Sequence, residues 1–333
     1  MIRPMIPIVS VLIVLVPVLV LASLAYGDQA VSFGDLVSAL TRPAGTNPQM
    51  EMIVLDLRLP RVLLALLVGA ALAVAGAIAQ AVMRNPLAEP GVLGVNAGAA
   101  LAATILIVAL DNAPVHLLPW AGFVGAAAMA AAIYLLSWRN GGTSSLRIIL
   151  IGIGLSALTG AATTFLTAFG EIGDVQRAMI WLAGSVYHAD WPAVQGLALW
   201  LVAPLALTWM SSRELDLIRF GDQAARSLGQ RVDSIRALMI VLCTLLSGAA
   251  VAAAGLIGFI GLVAPHMARR LVGPAHARLI PVSALIGAIL VMAADLAGRT
   301  VIAPVQLPAG IVTALIGAPF FGYLLWGRRH VAN

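Results

Sequence analysis

The chain has 333 residues, of which 61% are hydrophobic and only 10% are charged, and its mean hydropathy is +1.02. A soluble domain of this size needs far more charge to cover its surface, so the composition indicates a polytopic membrane protein. All 19 basic residues are arginine, and a chain without lysine has neither a P-loop nor a Schiff-base amine. The net charge of +5 fits basic cytoplasmic loops, and no basic domain of the kind that binds nucleic acid is present.

Uncharged apolar windows, long enough to cross a bilayer as helices, recur along the whole chain. The sequence therefore predicts an all-α membrane protein with about ten transmembrane helices, formed as a single domain over residues 1–333. The candidate spans are 5–26, 61–83, 92–110, 117–137, 148–169, 191–210, 237–264, 279–298 and 309–326.

The placement of arginine predicts the orientation, because cytoplasmic loops of membrane proteins carry an excess of basic residues. With a cytoplasmic N-terminus and a reversal of side at each span, most arginines fall on the cytoplasmic side, and so does the C-terminus. The exceptions fall on the outer side and are Arg42, Arg58, Arg61, Arg177 and Arg299.

A single apolar run, 237–265, separates two groups of arginines that both belong on the cytoplasmic side. The run is too short for two complete helices and too long for one. We therefore expect one full span followed by a short broken helix near 256–266, which ends near Pro265. Broken helices at membrane depth are tolerated where protein buries them.

An internal similarity pairs Gly69–Ile78 with Gly248–Ile257. In the predicted orientation the two copies cross the membrane in opposite directions, which is typical of the inverted repeats of alternating-access transporters. Convergent packing of small residues is the alternative explanation.

Three outer arginines, Arg58, Arg61 and Arg299, lie where the positive-inside rule disfavours them. They could be structural, with Arg58 paired to Asp56 and Arg299 paired to Asp295 at helical spacing. They could equally form a basic patch that docks acidic side chains of an external partner. Asp295 is also the main ionisable residue within a span, so a proton-coupled carrier is a further interpretation.

The segment 211–236 mixes charged residues with helix formers and with four apolar residues, Leu217, Ile218, Phe220 and Leu228. This pattern predicts short helices at the cytoplasmic surface, with Gly229 as a C-terminal cap. A surface that binds a cytoplasmic protein would use the apolar residues.

Candidate catalytic and metal-binding residues are absent from the sequence pattern. The five histidines lie at loop edges without the spacing of a metal site, and no nucleophile is placed with a base. The one cysteine, Cys243, lies in an apolar run and is expected to be a buried, inert thiol. An enzyme is therefore not expected.

Several motifs, taken in chain order, are specific enough to compare with known families. They are RLPR (58–61), GAALAVAG (69–76), NPLAEPGVLG (85–94), GLIGFIGLVAPHMARR (255–270), ADLAGR (294–299) and LPAGIVTALIGAPFF (307–321). Over residues 50–327 the chain resembles the FecCD-type permease subunits of ABC importers for iron chelates, haem and vitamin B12. Within that family it most resembles ferric-citrate permease subunits.

The resemblance implies a translocation path along the interface of two permease subunits. It implies that Arg58, Arg61 and Arg299 receive acidic residues of a substrate-binding protein. It also implies that Asn85 and Leu87 constrict the inner end of the path and that Ser144 and Ser145 form a second constriction.

The stretch Gln223, Ala224, Ala225 and Gly229 resembles the EAA-xxx-G element that seats the ATPase subunit. Gln223 stands where the family pattern has glutamate. The cytoplasmic coupling segment is thus expected at about 211–236.

The function implied by the resemblance is the import of a ferric chelate, siderophore or ferric citrate, across a bacterial inner membrane into the cytoplasm. The implied partners are a second permease subunit (a second copy or a paralogue), two cytoplasmic ATPase subunits and a periplasmic or lipid-anchored substrate-binding protein. ATP and Mg²⁺ would bind the ATPase subunits, with no cofactor on this chain. A proton-coupled secondary transporter and a cobalamin or haem cargo remain alternatives.

Overall fold

The computed structural model describes residues 5–27, 29, 31–41, 48–110, 113–139 and 141–329. Within these ranges the chain is helical and forms no β-strand, and a single bridge joins Arg139 to Gly142 in a turn. The α-helices are α1 Met5–Ala25, α2 Phe33–Thr41, α3 Pro48–Glu51, α4 Leu59–Val82, α5 Val95–Thr104, α6 Leu118–Ser137, α7 Ser145–Phe169, α8 Ile172–Leu182, α9 Trp191–Met210, α10 Ser212–Ile218, α11 Asp222–Ser227, α12 Val232–Ala254, α13 Ile260–Val272, α14 His276–Thr300 and α15 Ala309–Arg329.

The centre of the bundle is one continuous helix, Pro48–Val82, in which a π-helical segment, Met52–Arg58, joins α3 to α4. In its most apolar part 83% of the residues are buried, and α4 packs against α9, α12, α13 and α14. The helix begins well before the predicted start at 61. As a result Arg58 and Arg61 lie within a helix rather than ahead of one.

Among the described residues, six helices are long and apolar enough to cross a membrane, and three shorter apolar helices lie at Val9–Ala25, Val95–Ala109 and Ala309–Tyr323. The predicted all-α membrane fold is confirmed. The total of ten spans stays a prediction, because α13 has only 13 residues.

Two further helices, α2 and α8, lie in segments that the sequence analysis treated as joins. Both are short and amphipathic, so neither has the long apolar run that marks a span. In α2, for example, Leu36 and Ala39 are buried, while Phe33 is exposed.

The predicted break in the run after α12 is present. α12 ends at Ala254, and α13 begins only at Ile260, after backbone with positive φ at Gly255 and Phe259. The short helix continues to Val272, beyond the predicted end near Pro265.

A side chain from the central helix supports the broken helix. Pro265 has no N–H, so the Gly261 carbonyl lacks its usual partner in α13. Gln80 of α4 lies in reach, with its Nε2 3.4 Å from the Gly261 oxygen and 3.3 Å from the Leu262 oxygen. Arg269 in turn donates to Gln80 Oε1 at 3.0 Å.

The two groups of arginines on either side of this run lie at the same end of the bundle, as predicted. Arg219 donates to the Pro274 carbonyl at 2.8 Å, and the His276 N–H donates to Asp216 at 3.0 Å. These contacts join the segment before α12 to the turn before α14.

Close packing around α4 depends on glycine. Gly69 touches the backbone of Gly287 in α14, and Gly76 touches the backbone of Gly261 in α13, so a Cβ at either position would overlap a main chain. Gly255, which pairs with Gly76 in the sequence repeat, instead forms the C-cap of α12 with φ +70°. The inverted repeat therefore stays a prediction.

Candidate functional site

Three of the arginines predicted for the outer side, Arg58, Arg61 and Arg299, line one cavity of about 510 Å³. It lies between the end of α1, the helix Pro48–Val82, the loop before α9 and the end of α14. The lining residues are Gly27, Gln29, Ile53, Leu57, Arg58, Arg61, Tyr187, His188, Ala189, Arg299 and Gln306.

Arg58 is 8% exposed and holds the chain that follows α1. Its Nη1 donates to the carbonyls of Leu24 at 2.7 Å and Ala25 at 3.1 Å, and its Nη2 donates to the Gln29 carbonyl. Gly27 lies directly beside the guanidinium, where a Cβ would come within 2.9 Å of Nη2. The Arg58 head group therefore organises the rim of the cavity as well as lining it.

Arg61 is also 8% exposed and makes a two-pronged contact with Asp295, which is 3% exposed. Its Nε lies 3.0 Å and its Nη2 2.8 Å from Asp295 Oδ1. Its Nη1 donates to Gln306 at 2.9 Å, and its guanidinium lies 5.2 Å from the centre of the Tyr187 ring. These contacts fix the plane of the guanidinium.

Arg299 completes the cluster and is 4% exposed. Its Nη2 donates to the Ser23 carbonyl at 2.7 Å, and its Nε lies 3.5 Å from Asp295 Oδ2. The predicted pairing of Arg299 with Asp295 is thus confirmed. Asp295 holds two arginines at once, which the sequence analysis missed because Arg61 lies more than 200 residues away along the chain.

The residues predicted to constrict the path lie together at the opposite end of α4. Asn85 is exposed and accepts from the Leu87 N–H at 3.0 Å, while Leu87 is half-buried. Ser145, at the start of α7, donates to the Val82 carbonyl at 2.8 Å. Ser144 caps α7 by accepting from the Arg147 N–H at 3.3 Å. The two pairs therefore occupy neighbouring turns.

Between these turns and α13 lies Glu89, which precedes the 3₁₀ turn Pro90–Leu93. Burial raises the pKa of Glu89 above its usual value, and a hydrogen bond from the Phe259 N–H opposes part of that rise. Glu89 thus lies close to the start of the broken helix.

The predicted surface helices of segment 211–236 are present as α10 and α11. Gln223 and Ala224 are exposed, whereas Ala225 is fully buried. Gly229 has φ +85°, with hydrogen bonds from Gly229 N–H to the Arg226 carbonyl and from Gln230 N–H to the Ala225 carbonyl. This is a Schellman cap, so the cap predicted at Gly229 is confirmed.

The apolar residues of this segment divide into two classes. Ile218 is buried and anchors α10, while Phe220 and Leu228 are 75% and 65% exposed. Exposed large apolar side chains beside α11 are typical of a surface that another protein covers.

A sequence profile of the FecCD transport family matches residues 13–327. The chain belongs to this family. The family identified from the motifs is therefore confirmed, and the chain is a membrane-embedded transport subunit rather than an enzyme.

Individual relatives cover almost the whole chain. The permease protein CbrC of the achromobactin transport system of Dickeya dadantii is 43% identical over 97% of this chain and 92% of its own length. The permease protein YfmE of the Fe(3+)-citrate import system of Bacillus subtilis is 41% identical over 96% of this chain and 95% of its own length. These two identities are too similar to distinguish one chelate from the other.

A solved structure shares the fold. It is an ABC transporter described as of the metal-chelate type, in an inward-facing conformation, and it matches with a TM-score of 0.86 and 30% identity. The match covers 96% of this chain and 99% of the other.

Proposed function

We propose that the chain is the membrane-spanning permease subunit of a binding-protein-dependent ABC importer that carries a ferric chelate into the cytoplasm. The structural match over 99% of a metal-chelate type ABC transporter carries this proposal. The relatives named for achromobactin transport and for Fe(3+)-citrate import support a ferric chelate as cargo.

The proposed partners follow from surfaces that the single chain leaves open. Only 11% of the most apolar part of α7 is buried, which fits a face that meets a second permease subunit, either another copy or a paralogue. Phe220 and Leu228, beside Gln223, Ala224 and the capped turn at Gly229, suit one of two ATPase subunits. ATP and Mg²⁺ would be bound there and not by this chain.

The path would run along α7. At its inner end it would close between two turns, one that contains Asn85 and Leu87 and one that contains Ser144 and Ser145. Ser145 holds its turn against the end of α4, so the two turns can move together. The mechanism we propose is alternating access, in which the bundle exposes the path first to the outside and then to the cytoplasm. The proposed location is the bacterial inner membrane, with both termini in the cytoplasm.

We also propose that the cavity formed by Arg58, Arg61 and Arg299 receives acidic side chains of the substrate-binding protein. Guanidinium groups bind carboxylates in a planar, two-pronged geometry, and Arg61 already binds Asp295 in this way. The burial of the three arginines means that an incoming acidic side chain would have to enter the cavity.

The function is tested in proteoliposomes that contain the permease, the ATPase subunits and the binding protein. Uptake of radiolabelled ferric citrate, a ferric hydroxamate, haem and cobalamin is measured with and without ATP. Uptake of a ferric chelate that requires ATP supports the proposal. Uptake that ignores ATP and collapses with a protonophore would instead support a carrier that uses Asp295.

The docking role is tested by Arg58→Gln, with Arg177→Gln as the matched control, because Arg177 is an exposed arginine paired to Asp174 on its own helix. Loss of one charge-assisted contact should weaken binding of the binding protein at least about tenfold. Equal binding by the two variants, with both correctly folded, would contradict the docking role.

A further inference from the structure

Arg236 is a fully buried arginine in the first turns of α12, where the sequence suggested only one more basic residue of a cytoplasmic loop. Its Nη1 donates to the Thr143 carbonyl at 2.7 Å and lies 3.1 Å from the Thr143 hydroxyl. Its Nη2 donates to Asp222 at 2.7 Å. One guanidinium therefore joins the start of α12 both to α11, 14 residues earlier, and to the turn before α7, 93 residues earlier.

The two residues that Arg236 holds belong to the two surfaces that an importer must connect. Asp222 is the first residue of α11, the helix that carries Gln223, Ala224 and Ala225. Thr143 directly precedes Ser144 and Ser145 in the turn before α7. The guanidinium thus lies between the proposed ATPase-binding surface and the proposed inner constriction.

Neighbouring polar contacts join the same segments. Asp233 accepts from the Thr143 N–H at 3.2 Å and pairs with Arg226 of α11 at 2.9 Å. Asp222 lies 3.8 Å from Arg84, the residue that precedes Asn85. The network therefore reaches both turns of the proposed constriction.

The chemistry of the contact suits transmission of movement better than it suits stabilisation alone. Buried ion pairs contribute little net stability compared with apolar residues of the same volume, whereas their hydrogen bonds fix relative positions. A planar guanidinium that holds a backbone carbonyl and a carboxylate at once leaves little freedom between the segments.

We propose that Arg236 is a positioning residue that transmits the movement of α11 to the turn containing Ser144 and Ser145. The proposal rests on the function proposed above. Without Arg236, the ATPase subunits would still bind and hydrolyse ATP, and α11 would move without carrying the inner turn with it.

The test uses the complete transporter in proteoliposomes and measures radiolabelled ferric chelate uptake and ATP hydrolysis in the same sample. Arg236→Gln should lower the uptake per ATP by about tenfold or more, within the range of ordinary coupling energies. Arg236→Lys should restore part of the ratio, because it keeps the charge with fewer donors. Arg177→Gln, far from this network, should match the wild type.

A second variant keeps the proposal testable if Arg236→Gln does not assemble. Asp222→Asn removes the carboxylate that Arg236 binds, at a side chain that is partly exposed where Arg236 is fully buried. This variant should also lower the uptake per ATP. Where both variants assemble, the double variant should be no worse than the more impaired single variant, because they break one linkage.

Two results would overturn the proposal. The first is an unchanged uptake per ATP in Arg236→Gln, or in Asp222→Asn if Arg236→Gln does not assemble. The second is a double variant whose loss equals the sum of the two single losses. Failure of the proposed function would look different, since the wild-type transporter itself would then show no ATP-dependent uptake.

Discussion

The contact between Gly76 and Gly261 gives the sharpest test of the fold. A Cβ built on Gly76 would overlap the Cα, the carbonyl carbon and the oxygen of Gly261. Because carbon atoms pack best about 3.5–4.0 Å apart, Gly76→Ala must push α13 away from α4 by roughly 1 Å or more. That movement also stretches the already long contacts from Gln80 to the Gly261 and Leu262 carbonyls.

The expected magnitude combines opposing effects. Overpacking costs about 1–3 kcal/mol, and weakening the two long Gln80 contacts costs about 1 kcal/mol in total. Alanine gains about 1 kcal/mol over glycine inside a helix. The net loss of stability should be about 2 kcal/mol. The population of molecules in which the helices around α4 have separated, the opened state, should therefore rise about 30-fold.

The single cysteine supplies the assay. Cys243 in α12 is fully buried, and its Sγ lies 3.3 Å from the carbonyl of Ala75, the neighbour of Gly76. A thiol-reactive dye can therefore label it only when α4 and α12 separate, and the labelling rate follows the opened population. Gly76→Ala should label about 30-fold faster than the wild type.

The matched control is Gly154→Ala in α7, where no atom lies within 4 Å of the added Cβ. This variant should label no faster than the wild type, because alanine favours the helix without a clash. If Gly76→Ala labelled at the rate of Gly154→Ala, the proposed backbone contact between α4 and α13 would be wrong.

Two further predictions concern charge. Asp295→Asn removes the carboxylate that Arg61 binds and should cost about 3 kcal/mol of stability. Asp174→Asn, in an exposed pair, should cost less than about 1 kcal/mol. Equal rates of Cys243 labelling in the two variants would contradict the buried cluster. Glu89→Gln should raise the thermal unfolding midpoint at pH 8, because it removes a buried charge and keeps an acceptor for the Phe259 N–H. Since the folded-state pKa of Glu89 is raised above 4.5, the wild type takes up its proton as pH falls and gains stability, so the advantage of the variant should shrink from pH 8 towards pH 5. An advantage that is constant with pH would refute this reasoning.

The sequence predicts those parts of the fold that depend on long apolar runs. The spans around α6, α9 and α14 lie within a few residues of their predicted bounds, because hydropathy alone sets the length of a membrane helix. It does not predict α2 or α8, whose short amphipathic patterns resemble those of ordinary loops. It also places the start of the helix Pro48–Val82 too late, because charged residues interrupt the first turns of that helix.

For the candidate site, motif resemblance locates the residues, and only the structure supplies their contacts. Arg58, Arg61 and Arg299 are predicted as one patch and do line one cavity, while their docking role stays a prediction. Arg236 was missed because a basic residue near a helix end is well explained by the positive-inside rule. Its contacts with Thr143 and Asp222 depend on how the segments fold back, which sequence spacing does not reveal.

The support that Gln80 gives to the broken helix also constrains how the protein is made. Gln80 precedes Gly261 by 181 residues, so Gln80 is synthesised long before the Gly261 carbonyl, which Pro265 leaves without its helical partner. During insertion, α13 can therefore settle against a partner that is already embedded in the bilayer. In a split protein whose second half is synthesised first, the Gly261 carbonyl would lack this partner until the first half is inserted.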